Sequence, residues 1–134
     1  YVKKFIEIFY NNKVHIELTN LVVTSLNDDM TEIIKMIEWI GSINKNIPVH
    51  FSKYHPMYLA DMKSTDEEFL KKIYSEAMKK LNYVYIGNIG DEDYNSTICP
   101  NCNEKIIIRR YYNIRNKLKN GNCPNCSTKI SGQF

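Results

Sequence analysis

The chain has 134 residues and a mass of 15.8 kDa, room for one modest domain or a small domain with an appendix. At 43% hydrophobic and 25% charged, with five Gly and four Pro, it is neither disordered nor collagen-like nor low-complexity. No apolar stretch approaches the roughly 20 residues that cross a bilayer, so no membrane partner is expected.

The net charge of +3 is unevenly spread. Residues 95–134 hold seven Lys or Arg against one acid, Glu104, whereas residues 1–94 hold eleven against fourteen acids. The chain therefore divides near Asn95 into a unit at 1–94 and a basic unit at 95–134. Tyr1 to Ile8 thread Lys3, Lys4 and Glu7 through apolar positions, unlike a signal peptide. A cytoplasmic, reducing setting is the expectation, and the opening Tyr1 in place of Met suggests a fragment.

The first unit alternates helical and extended patterns. Val2, Phe5, Ile6 and Phe9 recur as one buried helical face, broken by Asn11-Asn12. Val14 to Val23 reads as a strand. Asp29 to Glu32 is a capping box for a helix whose core face is Met30, Ile33, Ile34, Ile37 and Ile40. Pro48 to Lys53 is a second strand. Thr65 to Glu68 caps a third helix, with Phe69, Leu70, Ile73, Ala77 and Leu81 inward, and Tyr83 to Ile86 is a third strand.

Strands separated by helices of this length form parallel sheets with right-handed crossovers. Three strands alone leave two open edges, so the unit reads as part of a larger sheet or barrel, or as a small complete α/β domain that oligomerises through an edge. A parallel sheet covered on both faces is apolar throughout. Here Val14, Ile16 and Leu18 alternate with His15, Glu17 and Thr19, and Val49 and Phe51 with His50 and Ser52. A barrel lumen holding a polar ligand accounts for that, and so does a solvent-facing sheet surface. Glu17 inside a lumen needs a partner, which His15 or His50 supplies. His55 follows its strand between Tyr54 and Pro56, at the end where barrels do chemistry, and is read equally as a ligand contact or a surface residue.

Cys99-Pro-Asn-Cys102 and Cys123-Pro-Asn-Cys126, twenty residues apart, are the strongest signal. Two such knuckles brought together make a tetrahedral four-thiolate site, as zinc prefers, with Zn–S near ~2.3 Å. Lys105 to Asn113 reads as a strand between them and Asn120-Gly121 as a turn, which is a zinc-ribbon plan. Iron and redox-active disulfides are the alternatives. Four thiolates leave no open coordination position, so the metal is structural. Arg109, Arg110, Tyr111, Tyr112, Arg115, Lys117 and Lys119 interleave positive charge with aromatics. That pattern fits a nucleic-acid surface, or a basic face docked on Asp91, Glu92 and Asp93; nucleic acid is the disfavoured partner.

Together these stretches resemble the C-terminal part of radical S-adenosylmethionine proteins of the pyruvate formate-lyase-activating-enzyme-like (AmmeMemoRadiSam system) group. The resemblance rests on His15 to Val23 with Leu26 to Asp28, Val49 to Pro56, Tyr83 to Asn88 and the paired Cys-Pro-x-Cys knuckles. It implies an α/β fold: the last three β/α units of a partial TIM-like parallel barrel, followed by a small zinc-ribbon-like module with four cysteine ligands. In that group a four-iron four-sulfur cluster cleaves S-adenosylmethionine, and the resulting radical abstracts hydrogen from a substrate.

Carried over by position, the resemblance places Val22 and Val23 near the adenine, His55 at the ribose, and Thr19 and His50 in the same lumen. Partners implied are the remainder of the barrel and a protein substrate docked by the ribbon. A dimer through the exposed strand edge is the further expectation. Thr24 stands where the group has proline, and Asn103 and Ser127 where knuckles favour glycine. The cluster motif Cys-x-x-x-Cys-x-x-Cys is absent, so the chain by itself is expected to be inactive, with S-adenosylmethionine and the cluster belonging to a full-length oxidoreductase. The competing reading is a stand-alone zinc-ribbon module that binds nucleic acid or protein on an α/β platform.

Overall fold

The computed structural model describes residues 1–132. Ten elements follow in order: α1 (Val2–Asn11), β1 (Leu18–Val22), α2 (Met30–Ile43), β2 (Val49–Lys53), α3 (Glu67–Met78), β3 (Val84–Gly87), α4 (Glu92–Asn95), β4 (Thr97–Ile98), β5 (Lys105–Arg110) and β6 (Asn113–Asn116). They form two three-stranded sheets, a parallel one ordered β1-β2-β3 and an antiparallel one ordered β4-β5-β6.

The parallel sheet is held in register by Leu18 opposite Val49 and Val49 opposite Val84. Its main core lies on one face. Val22, Val49, Phe51, Val84 and Ile86 meet Ile33, Ile37 and Ile40 of α2 and Leu70, Ile73 and Ala77 of α3, all buried. A helix face with apolar residues at three- and four-residue spacing and a polar opposite side packs on a sheet in this way. Both crossover helices therefore cover the same face, and strand order follows chain order. The other face carries Thr19, Leu21, His50, Ser52, Tyr85 and Gly87, which alternate with the core residues.

The capping signals place both helix starts. The Asp29 carboxylate accepts from the backbone N–H groups of Thr31 (2.7 Å) and Glu32 (3.1 Å). At α3 the cap is Asp66, which accepts from Glu68 N–H, and not Thr65. Thr65 is buried instead, where its hydroxyl donates to the carbonyl of Val22 at 2.5 Å and accepts from Tyr54 N–H at 2.8 Å. It thus ties the start of α3 to the ends of β1 and β2.

Three further expectations change. The face of α1 is amphipathic as read but not buried: no residue of the helix is, and Val2, Phe5, Ile8 and Phe9 are exposed. The first strand is shorter than Val14–Val23, because the partner strand β2 begins opposite Leu18 and no described strand pairs with Val14 to Glu17. The stretch Lys105–Asn113 is not one strand: β5 ends at Arg110 and the chain reverses at Tyr111, whose φ of 53° closes a hairpin without glycine into β6 from Asn113.

The parallel sheet ends on unpaired backbone at β1, since β2 is the only strand bonded to it among the described residues. Among the same residues no helix is long and apolar enough to cross a membrane.

Candidate functional site

Both cysteine knuckles fold by the same local bonds. Cys99 N–H donates to Glu104 O and Asn103 N–H returns to Cys99 O, each at 2.9 Å. Cys123 N–H donates to Thr128 O and Ser127 N–H returns to Cys123 O, again at 2.9 Å. Asn103 and Ser127 occupy the left-handed region, at φ 60° and 59°.

The four sulfurs converge. Cys99 and Cys126 Sγ are 3.6 Å apart, as are Cys102 and Cys123 Sγ, and all four ligand atoms lie within 4.8 Å of one another. A tetrahedron with metal–sulfur bonds of about 2.3 Å has edges of about 3.8 Å. The donor set and its spacing fit a single metal ion such as zinc. Without metal the four thiols sit in unequal surroundings. Asn101's side chain, followed by the Thr128 hydroxyl, lowers the Cys126 thiol to about 5, while burial pushes Cys99 up to about 11. Four thiolates packed this closely need a cation to neutralise them.

Around the cysteines the buried cluster takes in Ile106 and Ile130, plus Tyr83 borrowed from just before β3. Tyr83 also accepts a hydrogen bond from Ser131 N–H. With a core this small, a bound metal would supply much of the folding free energy of the module.

The ribbon sits against the parallel sheet through three further contacts. Lys105 pairs with Asp93 of α4. Tyr85 of β3 meets the Thr97 hydroxyl at 3.0 Å, and the Arg109 guanidinium lies 5.4 Å from the Tyr85 ring centroid. Arg109 Nη1 also donates to Asn95 O and Thr97 Oγ1. Part of the basic surface is therefore docked on the first unit. Arg110, Tyr111, Tyr112 and Arg115 stay exposed on the β5–β6 hairpin.

Between the open sheet face and the ribbon lies a cleft of about 570 Å³, walled by Glu17, His50 and Tyr85 on one side and Thr97, Ile107 and Arg109 on the other. Glu17 is half-exposed, not buried, and it is paired as its charge requires. His15 Nε2 approaches one carboxylate oxygen at 3.1 Å and His50 Nε2 the other at 3.2 Å. Those bonds, led by His15, hold the Glu17 carboxyl below its ordinary value of 4.5. The His50 ring stacks on Tyr85 at 4.8 Å.

The residues placed near a cofactor by resemblance are not gathered at one point. Thr19 and His50 are register partners on the open face. Val22 is fully buried on the helix side, so its side chain packs in the core and offers nothing to a ligand over the open face. Val23 is half-buried, and its N–H is taken by Asn27 Oδ1 at 2.7 Å. His55 is exposed beyond β2, with Nε2 3.2 Å from the carbonyl of Asn88 in the loop after β3. Thr24 joins the neighbouring loop through Ser64 O at 3.4 Å.

Arg109 and Tyr85 are the site residues that sequence reasoning missed as a pair. Strand alternation puts Ile107 and Arg109 of β5 on one face, and both line the cleft.

No family model matches this sequence, and no solved structure matches it. The chain is 34% identical over 121 residues to the uncharacterized protein MJ0808 of Methanocaldococcus jannaschii. That similarity takes in 86% of this chain but 36% of the relative, so the chain spans about a third of the length of the curated relative it matches.

Proposed function

We propose that this chain is the C-terminal part of a radical S-adenosylmethionine enzyme of the pyruvate formate-lyase-activating type, contributing three β/α units of the barrel and a structural zinc ribbon. The observation that carries the reading is the winding of the parallel sheet. Strand order follows chain order, both crossover helices lie on one face, and the other face bears polar groups. A doubly wound sheet reverses strand order and covers both faces, whereas a barrel winds one way around a lumen.

The unfinished side of the sheet supports the same reading. Beside the unpaired edge of β1, Val2, Phe5, Ile8 and Phe9 of α1 are exposed, and Asn20 Oδ1 is buried without a hydrogen-bond partner among the described residues. A preceding strand and helix would pair that edge, cover α1 and bring a donor within reach of Asn20. In this reading the remainder of the barrel brings the cluster cysteines, because all four cysteines here belong to the ribbon. Thr19 and His50 face the lumen, His55 approaches the ribose from the strand ends, and Val22 and Val23 stand at the end of β1 near the adenine.

The test is the coding sequence upstream of the Tyr1 codon, joined to this chain and expressed without oxygen. A Cys-x-x-x-Cys-x-x-Cys motif within about two hundred codons, and reductive cleavage of S-adenosylmethionine by the joined protein, are the expected results. A joined protein that carries no such motif and releases no 5′-deoxyadenosine overturns the reading.

The exposed hairpin with Arg110, Tyr111, Tyr112 and Arg115 favours one second reading, a zinc-ribbon module that binds nucleic acid. Salt-dependent retention on nucleic acid that disappears in an Arg110→Ala/Arg115→Ala variant is the result it requires.

A further inference from the structure

We propose that the cleft between the parallel sheet and the ribbon binds a small molecule carrying a carboxylate or phosphate group, with the anion on Arg109 and a hydrogen-bond donor of the same molecule at Glu17. The cleft is built wholly from this chain, so the inference does not depend on the barrel reading. Its volume, about 570 Å³, lies in the range of small-molecule sites.

The walls give the ligand its polarity. Arg109 is the only Lys or Arg in the lining and Glu17 the only acid among the described residues, and the stacked His50–Tyr85 pair stands between them. Arg109 spends Nη1 on Asn95 O and Thr97 Oγ1, which fixes the guanidinium plane. Its further neighbour is the Tyr85 side chain, whose ring and hydroxyl it approaches. A guanidinium held in plane through one nitrogen on the wall of a cleft suits a two-oxygen anion. At the other end both Glu17 oxygens are oriented by imidazoles and keep lone pairs for a hydroxyl or amine. The two imidazoles approach different oxygens of Glu17, so these three side chains form a hydrogen-bonded row and not a cage around one ion.

Gly87 and Gly90 line the cleft. A Cβ at Gly87 would stand 2.7 Å from Ser52 Oγ, and Gly90, at φ +69°, borders the Tyr111 ring.

The zinc-loaded chain is titrated with inorganic phosphate and, separately, with citrate, while backbone amides are followed by NMR. Saturable shifts centred on Gly87, Gly90 and Thr97 are expected. They should weaken about tenfold in Arg109→Gln, the loss of one charge-assisted contact, and persist in Arg110→Gln on the exposed hairpin. Saturation by phosphate assigns a phosphate-bearing ligand and saturation by citrate a carboxylate-bearing one. If Arg109→Gln loses its dispersed spectrum, the wild-type shift map decides. Shifts centred on Arg110 to Arg115, equal affinity in a folded Arg109→Gln, or no saturation with either anion overturns the proposal.

Discussion

Asn103 and Ser127 close the two cysteine knuckles in the same left-handed conformation, φ 60° and 59°, and each donates its N–H to the carbonyl of the first cysteine of its knuckle. The two residues are not equally suited to the task. Asn visits this region with local hydrogen bonding, whereas Ser bears a Cβ penalty of about 1–2 kcal/mol. Glycine removes the penalty and returns part of it as unfolded-chain entropy, about 0.5–1 kcal/mol. Ser127→Gly is therefore expected to stabilise the metal-loaded ribbon by up to about 1 kcal/mol, and Asn103→Gly by less. Thermal unfolding of the zinc-loaded variants checks the order, and a larger gain at Asn103 would sink the strain argument.

Removing the metal should unfold the ribbon and spare the parallel unit. The buried cluster around the metal site is Cys99 and Cys123 with Tyr83, Ile106 and Ile130, while α2 and α3 pack on a separate core. A strong chelator should collapse the amide dispersion of residues 97–130 and leave most helical circular dichroism in place. Acid should act in the same direction. The bound form needs thiolates, and the Cys99 thiol, raised to about 11 by burial in the metal-free chain, is a strong proton competitor. Zinc affinity is thus expected to fall steadily as the solution is acidified from mildly basic to mildly acidic pH. An intact ribbon spectrum in chelator would remove the metal assignment.

Much of this fold was legible because local chemistry and tertiary structure agree. Asp29 announces α2, the inward positions of α2 and α3 follow their periodicity, and the knuckles declare themselves by spacing. Two of the readings that shifted depended on a neighbour. Val14 to Glu17 has strand character but no partner strand among the described residues, and the stripe of α1 is apolar but nothing described covers it. Periodicity reports which face seeks burial, not whether the burying surface is present. The turn at Tyr111 carried no glycine or proline signal. The cleft was hidden for a different reason: Glu17 and Arg109 are 92 residues apart in sequence, and only the docking of the ribbon brings their walls together.

Glu17 should titrate below 4.5, and His15 should be the main reason. A carboxylate with a depressed folded value contributes stability that is fully present above its unfolded value near 4.5 and is lost as pH falls through the lower folded one. His15→Ala should move the Glu17 midpoint upward, and His50→Ala should move it less. Side-chain carboxyl chemical shifts followed from strongly acidic to neutral pH measure this directly. With Glu17 half-exposed, the accompanying change in stability should be small. A Glu17 midpoint indifferent to both substitutions would show that the hydrogen bonds to the imidazoles do not persist in solution.

The unpaired edge of β1 and the uncovered stripe of α1 should make the isolated chain self-associate. Val2, Phe5, Ile8 and Phe9 are 72%, 59%, 45% and 48% exposed, a contiguous set on a helix that has no buried residue. Each fully buried Phe or Ile contributes about 1.5–3 kcal/mol, so pairing two such stripes offsets much of the entropy of association. Edge strands left open template pairing in the same way. Sedimentation at tens of micromolar should show a concentration-dependent dimer or larger species. Phe5→Glu with Phe9→Lys should return it to monomer without reducing helical content, because neither ring packs in the core. Lys substituted at Leu21 of β1 should have a weaker effect, since that side chain stands on the open sheet face while the backbone edge remains available. A wild-type chain that stays monomeric at these concentrations would mean that residues 1–11 protect the edge by themselves, and the case for a missing neighbour on that side would lose its strongest support.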